Sequence, residues 1–375
     1  VRKTVTIPIP SPSPSPIRVA AMGTGNVGKH ALTQLITDPR FELTAVWVSS
    51  ASKAGKDAAE LAGLQDSTGA TGVVATTDLD AVLATRPACV VYTAMADNRL
   101  AEALEDYRRI LAAGVNVVGS SAVFLQYPWQ VIPDELVAPI EEAAKNGKAS
   151  LFVNGIDPGF ANDLLPLALA GTCQRIQQIR CMEIINYDTY DSATVMFDVM
   201  GFGGPLNETP MLLQPGVLSL AWGSVVRQLA AGLDIELDEV TETHVRIPAP
   251  EDFDIAAGHI AKGTTAAMRF EVRGMKDGEV AVVLEHVTRL RDDLCPDWPQ
   301  PAQPGGSYRI EISGEPSYEL DLCLRSPNGD HNHAGLVATA ARVVNAIPAV
   351  VDAPPGIVTA LDLPPITGKG LYADL

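Results

Sequence analysis

The residue best suited to acid–base chemistry is Asp157, in the segment Gly155–Phe160. It directly follows a predicted strand, Leu151–Val153, where side chains reach the ligand-binding edge of a parallel sheet. A carboxylate there, beside Phe160, is expected to be partly desolvated, which raises its pKa and suits it to proton transfer. The alternative is that Asp157 caps a helix starting near Gly159, and both roles can coexist.

Two other residues are weaker catalytic candidates. Glu105 lies on a predicted helix, Arg99–Ala113, but its i,i+4 spacing to Arg109 also predicts a surface ion pair. Tyr187 ends the first strand of the second half of the chain, where it lines a substrate pocket or simply packs.

The histidines show no spacing typical of a metal site, so no metal is expected. His331 and His333 stand in a Gly- and Asn-rich stretch and are interpreted as part of a solvated turn or helix cap. His286 alternates with Glu285 on a predicted strand and is interpreted as a core histidine.

A glycine-rich turn follows the first predicted strand, Ile17–Met22, and opens a predicted helix, Asn26–Ile36. Glycines at this spacing let backbone amides approach a pyrophosphate, whose charge the helix N-terminus favours. A turn without a ligand is the alternative. The motif predicts a dinucleotide site formed by Gly23, Thr24, Gly25, Asn26, Val27 and Gly28.

The end of the second strand indicates which dinucleotide is bound. An acidic residue there would bind the ribose hydroxyl of NAD, but this position holds Ser49, Ser50 and Lys53. Hydroxyls and a cation suit a phosphate, with Lys56 as a further contributor. NADP is therefore predicted and NAD remains possible, unless Lys53 is only solvated.

Two further turns follow strands of the same sheet and are expected to flank the nicotinamide. Aromatic residues are expected to make the substrate pocket apolar, which favours a small hydrophobic carbonyl or imine. The turns contain Thr93, Ala94, Ser120, Ser121 and Ala122, and the pocket residues are Phe124, Trp129, Phe152, Phe160, Tyr190 and Phe197.

Strands and helices alternate over residues 17–153, which predicts an α/β Rossmann-type domain with a parallel sheet. Alternating segments over residues 154–330 predict an α+β substrate and dimerisation domain with a mostly antiparallel sheet. Residues 331–375 are expected to pack back on the first domain. Residues 1–16 are rich in Pro and Ser, so a disordered lead-in is expected there.

Composition narrows the partners. The chain has 375 residues and a formal net charge of −18, which disfavours nucleic acid and anionic membranes as partners. Apolar runs are shorter than a membrane span needs. Five cysteines without a CxxC pair favour reduced thiols and a cytoplasmic location.

Several of these motifs together resemble the dihydrodipicolinate reductase-like superfamily, and within it the 2,4-diaminopentanoate dehydrogenases and native amine dehydrogenases. The resemblance implies a Rossmann domain, a dimer-forming substrate domain, and hydride transfer between a nicotinamide cofactor and a C=N or C=O carbon. It rests on the glycine-rich turn and on Gly114–Val118, Tyr127–Trp129, Gly155–Phe160, Glu285–Val287 and Gly314–Pro316.

The chain departs from its resemblance at two points. Val123 and Phe124 stand where the diaminopentanoate dehydrogenases carry carboxylates, and Asp157 stands where they usually carry Asn. The His-His pair and Pro-Ser-Gly-Thr stretch of dihydrodipicolinate reductases are missing, which argues against that exact activity. The prediction is an NADP-dependent, amine dehydrogenase-like oxidoreductase with a small, largely apolar substrate. The alternatives are a ketone or imine reductase and a non-catalytic dinucleotide-sensing protein.

Overall fold

The computed structural model describes residues 15–372, so the expected lead-in lies almost wholly outside the described residues. Strands and helices alternate through the first part of the chain. They are β1 (Ile17–Met22), α1 (Asn26–Thr37), β2 (Phe41–Trp47), α2 (Ala58–Ala62), α3 (Gln65–Thr68), β3 (Ala75–Thr76), α4 (Leu79–Ala84), β4 (Cys89–Tyr92), α5 (Leu100–Ala112), β5 (Asn116–Gly119), α6 (Asp134–Gly147) and β6 (Ser150–Val153).

Long strands dominate the second part, interrupted by one long helix and followed by another. The elements are α7 (Leu164–Ala170), β7 (Arg175–Asn186), α8 (Val217–Gly232), β8 (Glu239–Pro248), β9 (Phe253–Ile255), β10 (Gly258–Ile260), β11 (Thr265–Lys276), β12 (Glu279–Arg289), β13 (Gly306–Glu315), β14 (Tyr318–Leu322), α9 (His331–Val351) and β15 (Gly356–Ile357). Single 3-10 or π-helical turns cover Val123–Gln126, Thr194–Val199 and Met211–Leu213.

The first sheet is parallel throughout, with strand order β15-β6-β5-β4-β1-β2-β3. Because all strands run the same way, the glycine-rich turn and the turns after β4, β5 and β6 lie at one edge. The last strand, β15, pairs with β6, so the end of the chain returns to this sheet.

The second sheet has the order β14-β13-β7-β12-β11-β8, and only β7 and β12 pair in parallel. This confirms the predicted fold class of a Rossmann-type sheet plus a mostly antiparallel one. Helix α8 covers one face of the second sheet. Its Leu218, Val225, Val226 and Leu229 share a core with Phe270 and other residues of β11 and β12.

Helix α9 is long and apolar enough to cross a membrane by length and composition alone. In the structure it packs on the first sheet instead, where Val343, Val344, Ile347 and Val350 are fully buried. It is therefore a helix of the first sheet's hydrophobic core.

Two segments differ from what their sequence predicts: the composition of Lys53–Leu64 predicts one helix, and the pattern of Glu239–Pro248 predicts no strand. The helix predicted over Lys53–Leu64 is confined to Ala58–Ala62, because the Asp57 side chain caps it and residues 51–55 form turns. Strand β8 was missed because its polar and apolar residues do not alternate cleanly and its burial is incomplete.

Candidate active site

The glycine-rich turn connects β1 to α1 with little room to spare. A Cβ at Gly23 would lie 2.5 Å from the backbone nitrogen of Ala94, and one at Gly28 would lie 2.3 Å from the Gly23 carbonyl oxygen. Gly25 faces open space and is the N-cap residue of α1, and no side chain accepts a capping hydrogen bond from the first amides of this helix. Free helix N-terminal amides beside an open glycine fit a pyrophosphate group.

A cavity of about 470 Å³ runs along this edge of the first sheet and is called the outer cavity. Thirteen of the predicted cofactor residues border it, and Gly28 packs directly beneath the turn. The thirteen are Gly23, Thr24, Gly25, Asn26, Val27, Ser49, Ser50, Lys53, Thr93, Ala94, Ser120, Ser121 and Ala122.

At one end of the outer cavity, Lys53 reaches from the turn after β2 to the glycine-rich turn. Its Nζ donates to the Thr24 carbonyl oxygen at 3.0 Å and to Thr24 Oγ1 at 3.1 Å. Lys56 instead pairs with Glu60 at 2.7 Å and does not border the cavity, so its predicted contribution was wrong.

A smaller cavity of about 200 Å³, called the inner cavity, adjoins the outer one. The two share Val27, Ser120 and Tyr190 as lining residues. Asp157 and Glu183 contribute the carboxyl groups of the inner cavity.

Strand register builds the floor of this site. Phe270 of β11 is opposite His286 of β12, which is opposite Glu183 of β7, which is opposite Tyr308 of β13. Neighbours in register lie on the same face of a sheet, so these four side chains form one row across four strands. The loop after β6 brings Asp157 onto this row.

Asp157, His286 and Glu183 form a buried ionisable cluster, called the acid cluster. His286 Nε2 lies 3.2 Å from Asp157 Oδ2, and His286 Nδ1 lies 3.0 Å from Glu183 Oε2. At most 7% of any of these three side chains is exposed. The ring of His286 also stacks on Phe270, with centroids 4.8 Å apart.

The three groups shift one another's pKa. Burial disfavours the charged imidazole, but Asp157 and Glu183 together raise the pKa of His286 to about 10. Burial raises the pKa of Asp157, although the imidazolium opposes the rise. Burial also acts against ionised Glu183, but His286, together with His331 and Tyr187, outweighs burial, so the pKa of Glu183 is lowered. Near neutral pH the cluster holds an imidazolium and ionised Glu183, with Asp157 able to exchange a proton.

The alternative role of Asp157 as a helix cap was wrong. Helix α7 starts at Leu164, and its cap is Asp163, whose side chain accepts from the Leu164 amide. Apart from His286 and from Asn162, whose side chain acts to lower the pKa of Asp157, the oxygens of Asp157 have no hydrogen-bond partner among the described residues. A buried carboxylate left this way is available to a ligand.

The other two catalytic candidates lie in different places: one borders the inner cavity and the other lies at the surface. Tyr187 borders the inner cavity and donates to Glu183 Oε2 at 3.2 Å. Glu105 does not: it is half exposed on α5 and pairs with Arg108 at 2.6 Å, while Arg109 pairs with Asp80. Its spacing to Arg108, three residues along the helix, explains the contact.

Of the six predicted pocket aromatics, only Tyr190 borders the inner or outer cavity. The other five side chains pack in hydrophobic cores instead, because the burial of large apolar groups is favourable. Phe124, Trp129 and Phe152 pack in the first half, Phe160 packs near Tyr308, and Phe197 packs in the core under α8.

Sequence reasoning missed Glu183, Tyr308, His331 and Asn332, all of which line the inner cavity. Glu183 had a usable signal, because it is a lone carboxylate inside the apolar stretch of β7. His331 was expected to be solvated but is only 2% exposed, since it lies in the first turn of α9 below the Asp330 cap.

The acid cluster also brings together enough ligand atoms, within 4.8 Å, to hold a metal ion. However, each imidazole nitrogen of His286 already faces a different carboxylate. A metal ion bound to one nitrogen of His286 could therefore replace only one of these two contacts, whereas protons shared between the imidazole and the two carboxyl groups account for both contacts.

A nucleotide cleft on a Rossmann-type sheet, joined to a buried acid cluster, defines a dehydrogenase-type oxidoreductase. Residues 160–371 match the family described as the 2,4-diaminopentanoate dehydrogenase C-terminal domain. An amine dehydrogenase of Streptomyces virginiae is 41% identical over 351 residues, covering 93% of this chain and 96% of that protein. The chain therefore belongs to the family of 2,4-diaminopentanoate and amine dehydrogenases, and the predicted resemblance is confirmed.

More distant relatives agree with this assignment. The 2,4-diaminopentanoate dehydrogenase of Acetoanaerobium sticklandii is 26% identical over 298 residues, covering 78% of each chain. An amine dehydrogenase structure from Mycobacterium smegmatis superposes with a TM-score of 0.75 at 24% identity, covering 94% of this chain and 97% of that one. That structural similarity shows the fold.

Proposed function

We propose that this protein is an NADP-dependent amine dehydrogenase that interconverts a small amine with a ketone or aldehyde plus ammonia. The observation that carries the proposal is the acid cluster at the inner end of the nucleotide cleft, where Asp157 and Glu183 share one imidazole. The 41% identity to an amine dehydrogenase supports the same reaction class.

The charge of the acid cluster favours a cationic reactant. With His286 protonated and both carboxylates ionised, the cluster carries one net negative charge beside the phenol rings of Tyr187 and Tyr190. An ammonium or iminium group is a cation that such carboxylates and ring faces stabilise. A ketone or alcohol is neutral and gains much less from the same surroundings.

Proton transfer is assigned to Asp157. In the oxidative direction the substrate ammonium would give a proton to Asp157, and the amine carbon would then lose a hydride to the bound cofactor, which leaves an iminium ion. Water would add to the iminium carbon, and the adduct would release ammonia and a proton to give the carbonyl product. Glu183 and Tyr187 act by holding the charge and position of His286, which in turn faces Asp157.

The residues around the outer cavity fit a nicotinamide dinucleotide. When bound, the cofactor supplies the site that accepts or gives the hydride. Gly25 and the first turn of α1 would hold its pyrophosphate, and Ser120 and Tyr190, which border both cavities, would contact the nicotinamide end.

NADP is proposed over NAD because Lys53, Ser49 and Ser50 border the outer cavity where a carboxylate would exclude the phosphate. The Nζ of Lys53 is already held beside Thr24, so little side-chain entropy is lost when a phosphate binds.

The test is cofactor oxidation with a panel of small ketones and aldehydes, with and without ammonia. Turnover that requires ammonia supports amine dehydrogenation. Turnover that is equal without ammonia overturns it in favour of a ketone reductase, and tight cofactor binding with no turnover indicates a dinucleotide sensor.

Assembly and location are proposed on separate grounds. The face of the second sheet opposite α8 carries an ion-pair network that includes Arg180, Glu271 and Glu285, and we propose that a second copy covers it. A molar mass by light scattering that stays monomeric at micromolar concentration refutes this.

The five cysteines are unpaired, which supports a reducing cytoplasmic location.

A further inference from the structure

A third cavity meets the active site. It has a volume of about 250 Å³, lies between α1 and the N-terminal turn of α9, and is called the vestibule. It shares Tyr190, Asn332 and Leu336 with the inner cavity, and it shares Asn26, Tyr190 and Asp191 with the outer cavity. Tyr190 is therefore the point where all three cavities meet.

We propose that the vestibule is a second substrate subsite, which takes the longer substituent of the amine and binds a hydrogen-bond donor, such as a hydroxyl, on that substituent. The proposal rests on the proposed function, because it assumes that the reacting amine lies at Asp157.

The size of the cavities supports this division. The inner cavity, at about 200 Å³, is smaller than typical ligand pockets of roughly 300–1,000 Å³. With a dinucleotide filling the outer cavity, a substituent that outgrows the inner cavity can pass between Tyr190 and Leu336 into the vestibule. The described structure therefore offers room for a longer substrate than the inner cavity alone.

Asn332 supplies the polar contact. Its Nδ2 donates to the Asn186 carbonyl oxygen at 2.9 Å and to Thr189 Oγ1 at 2.8 Å, which fixes the side chain. Its Oδ1 is buried and has no donor among the described residues, and the residue borders both the inner cavity and the vestibule. A fixed, unpartnered acceptor at this point calls for an O–H or N–H donor from a ligand.

The remaining walls of the vestibule disfavour an anion. His30 and His333 meet edge to face, with ring centroids 4.9 Å apart, and burial together with the proximity of His333 and Lys29 lowers the pKa of His30. Both Asp191 and Asp330 border the same space, against one cation, Lys29. A neutral hydroxyl thus fits the vestibule better than a carboxylate or a phosphate.

Binding of three amines to the enzyme loaded with reduced cofactor, measured by calorimetry, tests the proposal without needing turnover. The amines are sec-butylamine, its homologue with a longer unbranched chain, and that homologue with a terminal hydroxyl. In the native protein the hydroxylated amine should bind most tightly. Leu336→Trp fills the passage from the inner cavity to the vestibule, so it should weaken the binding of both long amines about 10-fold or more. Its effect on sec-butylamine should be smaller by about 10-fold, because only the long amines need the vestibule, and Val337→Trp, on the exposed side of the same helix, should leave the binding of all three amines within about 2-fold.

Leu336→Ala provides the opposite change and should keep the binding of both long amines. Equal weakening of all three amines by Leu336→Trp, or no weakening, overturns the vestibule as a subsite. A hydroxyl that adds no affinity overturns the role of Asn332. Failure of every amine, sec-butylamine included, to bind contradicts the proposed function instead, so the two failures are distinguishable.

Discussion

The two halves of the active site are specified in different ways. The outer cavity is built from short, consecutive turns, and the glycine-rich turn alone supplies Gly23 to Val27 as lining residues. The inner cavity takes its carboxyl groups from Asp157 and Glu183, and His286 lies between them. These residues are far apart in sequence and meet because β12 pairs with β7 and because the loop after β6 lies against this pair of strands. A local motif therefore dictates the nucleotide cleft, whereas long-range strand pairing dictates the chemistry.

The largest expected effect lies in the inner half. Asp157→Asn keeps the shape of the side chain but removes its titration, so turnover should fall roughly 100-fold or more while the cofactor dissociation constant holds. Steady-state kinetics and a cofactor titration measure the two quantities. An Asn variant with near-native turnover would end the assignment of Asp157 as the acid–base group.

The next largest effect concerns stability and its pH dependence. His286→Gln leaves Asp157 and Glu183 facing each other without a cation, and breaking a buried pair in this way costs roughly 3–5 kcal/mol. Since the pKa of His286 is raised from 6.5 to about 10, the folded state holds a proton that the unfolded state loses between these values. The stability that His286 contributes is thus complete below pH 6.5 and is lost as the pH rises towards 10.

Thermal melts across this pH range, with native protein and His286→Gln compared in the same buffers, check the sign. The gap between the two melting temperatures should narrow with rising pH. A gap that is constant or widens contradicts the charged state assigned to the acid cluster.

In the outer half, Lys53→Ala should weaken NADP binding and leave NAD binding unchanged. A hydrogen bond to a charged group is worth roughly 1.5–3 kcal/mol, which corresponds to about 10- to 150-fold in the dissociation constant. Lys56→Ala is the matched control, because Lys56 pairs with Glu60 away from the cavity. Equal losses for both cofactors, or tighter NAD binding by the native protein, argue against NADP specificity.

The smallest expected effect is a difference in stability and cofactor binding between variants of two glycines in the glycine-rich turn. Gly28→Ala places a Cβ 2.3 Å from the Gly23 carbonyl oxygen, so it should destabilise the protein by about 1–3 kcal/mol. Gly25→Ala meets nothing within 4 Å and should leave the melting temperature unchanged, yet it should weaken cofactor binding. Chemical denaturation and a cofactor titration give both values. The reverse pattern would show that the turn does not receive the pyrophosphate.

How far the sequence predicts the structure follows the same division. The order of strands and helices around the first sheet and the position of the glycine-rich turn could be predicted, because hydrophobic periodicity and turn chemistry are local. The proximity of His286 to Asp157 could not, since it depends on how β12 pairs with β7 and on where the loop after β6 lies. Five aromatic residues were misplaced for a related reason: sequence shows that Phe152 is apolar, but not which core buries it.

The central claim is that the acid cluster makes the inner cavity selective for a cationic nitrogen. Its most direct test compares the binding of sec-butylamine and of the isosteric alcohol to the enzyme loaded with reduced cofactor, by calorimetry at neutral pH. A charge-assisted contact with a buried carboxylate predicts that the amine binds about 10-fold more tightly or better. The preference should shrink in Asp157→Asn. Equal affinity for the two ligands, or tighter binding of the alcohol, would contradict the account.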